Sequence, residues 1–262
     1  MANFMTLRRK LAIATWSPAR EASIYGKVTL DVEPVLHYLK QINAHATEKI
    51  TITHFVGKAV ARALASAPSF NGRIVWGRYV PHKSVDIAFL VNLAEGKDLG
   101  KVKVCDVPAK SLQQIATDIN KGAQRLRQGR DKNYNKSKLA LRLFPTWLIR
   151  PIINILGYLS AVVGIPLPIF GLEAFPFGSC IITNIGSFGV EEAYVPPTPF
   201  AHVPVYVTIT AIKQQPTVRN GQITTAQQLV LTFTIDHRFA DGYELSQMMH
   251  QLKDAFANPS QL

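Results

Sequence analysis

The run from Leu229 to Ile235 is rich in β-formers, and the seven residues after it, Asp236-His237-Arg238-Phe239-Ala240-Asp241-Gly242, break it sharply. A strand is expected to deliver His237 to its end, and Asp241 and Gly242 to open a helix. A histidine held at such a corner suits general-base work, because its ordinary pKa lies near neutrality. At four residues' remove, Asp241 can pair with a cation and brace the loop without touching the imidazole. It can equally be the N-cap of the last helix, with His237 a solvated turn residue. The local pattern leaves both readings open.

Asp236-His237-Arg238-x-x-Asp241-Gly242 resembles the D-H-R-x-x-D-G signature of the dihydrolipoamide acyltransferase components of 2-oxoacid dehydrogenases, relatives in fold of chloramphenicol acetyltransferase. A second stretch, Phe177-Gly178-Ser179-Cys180-Ile181-Ile182-Thr183-Asn184-Ile185-Gly186, resembles that family's G-G-T-F-T-I-S-N-L-G strand and turn. The resemblance covers most of the chain, with its matches in the family's order. It implies an α/β fold, a two-layer arrangement of mixed sheet and helices, to which this chain adds an apolar insertion. It also implies acyl transfer between coenzyme A and a thiol or other nucleophile, with His237 as base. Thr183 stands where the family's serine donates to the oxyanion, and keeps the hydroxyl. Read without the family, Thr183 is a β-branched strand residue. Asn184 and the glycines shape the turn that follows. Near the start, Leu7-Arg8-Arg9-Lys10-Leu11-Ala12 resembles the family's arginine-bearing opening. Arg8 is the match for the arginine that pairs with the aspartate of the His-x-x-x-Asp motif, with Arg9 close behind; an exposed basic helix is the plainer reading.

Composition sets wider bounds. The chain has 262 residues, read as one catalytic domain over 1–262, with a formal net charge of +12. That surplus suits an acidic partner: nucleic acid, anionic lipid or a phosphate-bearing ligand such as coenzyme A. No zinc-finger, RNP-type or basic-zipper pattern accompanies it, so no nucleic acid is expected. Cys105 and Cys180 do not make a disulfide framework. The first residues lack a signal peptide's apolar core, so a cytoplasmic location is expected. No metal-ligand spacing and no lipoyl attachment sequence is evident. The acyl group is therefore expected on coenzyme A, as substrate, or on a separate acyl carrier or lipoyl protein.

Along the chain, residues 22–32 read as a strand, Pro34 opens a helix, and Thr51 caps a helix with the stripe Phe55, Val56, Ala59, Val60, Ala63 and Leu64. Residues 73–79 and 85–92 are expected as a pair of strands. The family's next strand, Gly-Leu-x-x-Pro-Val-like, is replaced by Asp98-Leu-Gly-Lys-Val-Lys-Val-Cys-Asp106, with a strand expected over 101–107 and a different channel lining. Residues 110–126 read as a helix. Asn220-Gly221 marks a hairpin.

Residues 127–172 form a basic linker followed by an apolar insertion. Pro151 to Leu172 carries no charge. Its length approaches a bilayer span, but Asn154, Gly157, Gly164, Pro166 and Pro168 argue against a straight one. A helical hairpin or an in-plane segment is more natural, and the basic residues and Trp147 suit an anionic headgroup layer. Contact with a membrane surface through residues 139–172 would make the protein peripheral on the cytoplasmic membrane. A protein interface, or plain core over 145–172, are the other readings.

In this family the site lies between subunits of a trimer, so a homotrimer is expected. Gly242 and Asn184 support the site, and Asp241 with Arg8 holds the loop. The alternative is a non-catalytic trimeric scaffold that keeps the fold and binds a membrane or partner.

Overall fold

A computed structural model describes residues 23–93, 96, 98–219 and 221–262; Arg8 and Arg9 lie outside them. The organising strand is β9 (Gln222–Asp236), 15 residues long. Alternation explains its place: Leu229, Leu231, Phe233 and Ile235 are fully buried on one face, and Thr232 and Thr234 are buried on the other. A strand covered on both faces belongs inside a sheet. It pairs antiparallel with β1 (Ser23–Asp31) on one side and β7 (Val205–Ile209) on the other. Parallel to β7 runs β6 (Cys180–Asn184), followed by β4 (Ile87–Leu93) and the edge strand β5 (Asp98–Val104). The first half of β9 extends beyond its pairing with β1 and β7 and forms a hairpin with the seventh strand, β8 (Lys213–Arg219), in which Arg219 faces Gln222. The result is a seven-stranded mixed sheet.

One face is covered by helices α1 (Glu33–Asn43), α2 (Ile52–Ser66) and α3 (Leu112–Arg127), and by the last helix, α6 (Gly242–Ala257). The stripe expected on α2 is buried, and Phe55 meets Phe256 of α6 edge to face at 5.3 Å between centroids. Gly57 lets α2 approach β4; a Cβ there would stand 2.5 Å from the Phe89 ring. The expected strand pairing over 73–79 and 85–92 is not what forms. Residues 72–81 fold into their own hairpin, β2 (Gly72–Val75) with β3 (Arg78–Pro81), while β4 pairs with β5 and β6. The chain turns at Trp76 and Gly77, both at positive φ.

The basic stretch after α3 is more ordered than a solvated linker. Helix α4 (Lys132–Leu143) starts at Asp131, whose side chain accepts from the Tyr134 N–H. Tyr134 and Lys138 then both reach the Asp98 carboxylate, at 2.7 and 2.9 Å. Helix α5 (Thr146–Gly157) runs on without a break into a π-helical turn, Tyr158–Val163. Gly164, at φ 87°, ends it, and a side chain there would strike the Phe175 ring. The returning segment lies beside β5. Lys101 Nζ donates to the Pro176 carbonyl at 2.5 Å and pairs with Glu173, and Lys103 Nζ donates to the Phe175 carbonyl at 3.2 Å. The lysines that replace the family's expected channel strand therefore clamp the end of the insertion.

His54 illustrates what the core costs. Thr51 caps α2, and the buried imidazole of His54 reaches back to accept the Thr51 N–H on Nδ1 at 3.0 Å. Burial pushes its pKa down to about 4. An unfolded histidine takes up its proton near pH 6.5, so between about 6.5 and 4 the unfolded chain binds more protons and folding weakens as pH falls. The contribution is fully present above this window. Urea unfolding should lose about 2 kcal/mol between pH 7 and pH 5 through His54, and His54→Gln should remove that part of the slope.

Candidate active site

The site begins where β9 ends. The Asp236 N–H donates to the Pro204 carbonyl at 2.9 Å, which fixes the strand's last residue. The turn is then closed by side chains: Asp236 accepts from the Arg238 backbone N–H and from its guanidinium, with Nε 3.0 Å from both carboxylate oxygens. Phe239 and Ala240 are buried and anchor the turn, Phe239 lying edge to face with Tyr79 at 6.4 Å. Between these fixed points His237 is exposed.

Asp241 is the N-cap of α6. Its side chain accepts the Tyr243 N–H at 2.9 Å, and Glu244 accepts the Asp241 N–H at 3.1 Å, a complete capping box. The Tyr243 N–H, with Glu244 and the nearby charge of His237, holds the Asp241 carboxyl below the usual carboxylate range. Asp241 is thus the cap of the last helix and also lies within the electrostatic reach of the histidine; the arginine expected to pair with it lies outside the described residues. Gly242 begins the helix in open space.

Thr183 lies on β6 with 9% of its surface exposed. The register aligns it with Thr208 and Thr232 in a row across the sheet's second face. Asn184 ties β6 to its surroundings: Nδ2 donates to Thr53 Oγ1 at 2.8 Å, and Oδ1 accepts the Gly186 N–H at 2.9 Å. It shapes the turn, as the sequence suggests.

His237 and Thr183 are not brought together within one chain. From the Thr232 row, β9 runs four more residues to Asp236, about 13 Å along the strand, before the turn that carries His237. Two strand spacings, about 10 Å, separate β6 from β9. The imidazole and the hydroxyl sit toward opposite ends of the sheet.

Two features of the His237 end escaped the sequence reading. His202, at φ 49°, packs edge to face on Tyr158 at 6.1 Å. Burial, then the Arg238 charge, lowers its pKa. Ile74, Tyr158, Val162, His202, Arg238 and Phe239 line a cavity of about 120 Å³. The insertion, through Tyr158 and Val162, therefore forms part of the wall beside the histidine loop. A larger cavity of about 340 Å³ is bounded by Arg73, His82, Lys83, Asp86 and Phe175. The Arg73 guanidinium lies 4.6 Å from the Phe175 ring centre, and burial, with Arg73, lowers the pKa of His82 to about 4. No sequence motif marks His82 or His202. Among the described residues, no cluster of three or more His, Cys, Asp or Glu could hold a metal ion.

The sequence matches the 2-oxoacid dehydrogenases acyltransferase (catalytic domain) family over residues 5–136 and 172–262. The chain belongs to this family. Residues 137–171 fall between the two matched stretches. The dihydrolipoyllysine-residue acetyltransferase component of the acetoin cleaving system of Bacillus subtilis is 25% identical over 252 residues, which are 94% of this chain and 52% of that protein. The chain thus spans about half the length of this relative. The dihydrolipoamide acetyltransferase of Azotobacter vinelandii, a structure solved to probe the roles of a serine, a histidine and an asparagine in catalysis, superposes with a TM-score of 0.66 at 18% identity, covering 97% of this chain and 86% of that one. Chloramphenicol acetyltransferase superposes with a TM-score of 0.52 at 11% identity, over 97% and 99% of the two chains. The mixed sheet with helices is the fold these proteins share.

Proposed function

We propose that the protein is a coenzyme A-dependent acyltransferase that uses His237 as general base and transfers the acyl group directly to its acceptor. The observation that carries this reading is an exposed imidazole on a turn fixed at both ends, in a chain of an acyltransferase family. An acceptor thiol, or other nucleophile, loses its proton to His237 as it attacks the thioester carbonyl. The tetrahedral oxyanion takes a hydrogen bond from Thr183. Collapse expels the coenzyme A thiolate, which recovers the proton from the imidazolium, so the enzyme ends unchanged.

Thr183 and His237 stand too far apart in one chain to share this reaction, which supports a site built between copies. The histidine of one subunit meets the hydroxyl of its neighbour in a homotrimer. The carboxylate of Asp241, kept ionised by its cap, favours the imidazolium that forms during attack. A separate acyl carrier or lipoyl protein is the expected partner, and the acceptor is a thiol or other nucleophile. The test is transfer from a panel of acyl-coenzyme A thioesters to dihydrolipoamide by the purified protein. Turnover with at least one donor is expected. Absence of both turnover and coenzyme A binding would favour a trimeric scaffold that keeps only the fold.

A further inference from the structure

The stretch 119–172 holds nine Lys and Arg against one acid, Asp131, a surplus of eight in a chain whose net charge is +12. Within it lies α5, whose exposure runs opposite to that of an ordinary surface helix. Its inner side is held by the protein: Ile149 and Gly157 are buried, as are Ser160, Ala161 and Val162 in the turn that continues it. Its outer side shows Trp147 at 77% exposure and Ile155 at 60%, with Pro151 and Asn154 between them on the same helical face. A solvent-facing side of a soluble helix is ordinarily charged or polar.

The apolar surface continues beyond the helix. Ile169 is 81% exposed at the tip of a turn against which α4 packs, with Lys136 Nζ donating to the Pro168 carbonyl and Ser137 Oγ to the Phe170 carbonyl, both at 2.8 Å. Exposed Leu139 and Lys132 lie on the same helix. Exposed apolar side chains therefore lie beside a concentrated positive charge, which begins in the family-matched stretch before residue 137 and runs on into the insertion.

We propose that this surface docks the protein on an anionic lipid bilayer, with α5 lying in the plane of the interface. Three features select this occupant. The helix from Thr146 to Val163 has the length and composition of a membrane segment, yet one side is fixed to the protein, so it can immerse only the other. Of the exposed residues on the outer face of α5, Trp147, Pro151, Asn154 and Ile155, only Asn154 is polar, with half-exposed Arg150 at its flank, whereas a protein partner would be met by about one hydrogen bond per 100–200 Å². A second copy meeting this patch across a two-fold axis would bring a like-charged basic flank against it, since such a contact joins the same patch to itself. Lipid headgroups carry the opposite charge, and tryptophan favours their depth.

The inference is independent of acyl transfer. The test is co-sedimentation of the full chain with vesicles of phosphatidylcholine alone, or of phosphatidylcholine with phosphatidylglycerol, at low and high salt. Pelleting is expected with the anionic vesicles, weakened by salt, and much less with the neutral ones. W147S/I155D should lower partitioning roughly tenfold or more, and so should K132E/K136E, with circular dichroism and assembly size unchanged in both. No pelleting with either vesicle would overturn the proposal. So would vesicle binding untouched by both variants, or a change of assembly size in W147S/I155D, which would make the face a contact between copies. Pelleting that occurs only with an acidic carrier protein present would assign the surface to that partner instead.

Discussion

Replacing His237 with alanine is expected to lower acyl transfer by roughly 10²- to 10⁴-fold, the range that a positioned general base supplies. The turn that presents His237 is held by its neighbours, not by the imidazole: Asp236 grips Arg238, Phe239 and Ala240 are buried, and Asp241 caps α6. The variant should therefore fold, assemble and bind coenzyme A as the parent does. The loss should appear in kcat, with little change in KM for the donor, because the proton moves only during attack. Steady-state rates alongside coenzyme A titration check this. Retained activity in His237→Ala would remove the histidine from the mechanism.

The largest expected effect on stability comes from Phe233→Ala. Phe233 is fully buried in the last third of β9, opposite Gly26 of β1 and Val207 of β7, and belongs to the cluster that α2 and α6 cover. Removing the ring leaves a cavity that flanking strands, paired on both sides, can close only in part. The cost should be about 3–5 kcal/mol, seen as an earlier urea midpoint with an unchanged slope. For an assembled protein the comparison must be made at one protomer concentration. The same truncation at Ile223, on the exposed start of β9, should change little.

What was legible in the sequence follows from how local each signal is. The β-former run from Leu229 to Ile235 and the helical stripe of α2 report burial locally, and both lie in the elements expected, although β9 begins earlier, at Gln222. The His237 corner was legible because a strand, a cap and a glycine follow one another within a few residues. The β2–β3 hairpin was missed because Arg73 to Tyr79 reads as one run of β-formers. Its turn uses Trp76 at φ 48°, a conformation that tryptophan does not advertise. The order in 127–172 was hidden for a different reason. Lys136 and Lys138 look like solvated charges, but their partners, the Pro168 carbonyl and Asp98, lie some thirty to forty residues away. His202 carries no motif at all; only folding places Tyr158 and Arg238 beside it. The separation of Thr183 from His237 needed the strand register, because it depends on which strands are neighbours and not on either motif.

That separation is the centre of the account, and subunit mixing tests it most directly. His237→Ala and Thr183→Ala chains would be purified singly, then co-expressed and purified together, and each preparation assayed for acyl transfer. If each site takes its histidine from one subunit and its hydroxyl from the next, random assembly restores both groups at about a quarter of the sites. The mixed protein should then recover about a quarter of the parent's activity, while each single variant stays far below it. Activity in the mixture no greater than the average of the two single variants would contradict a shared site.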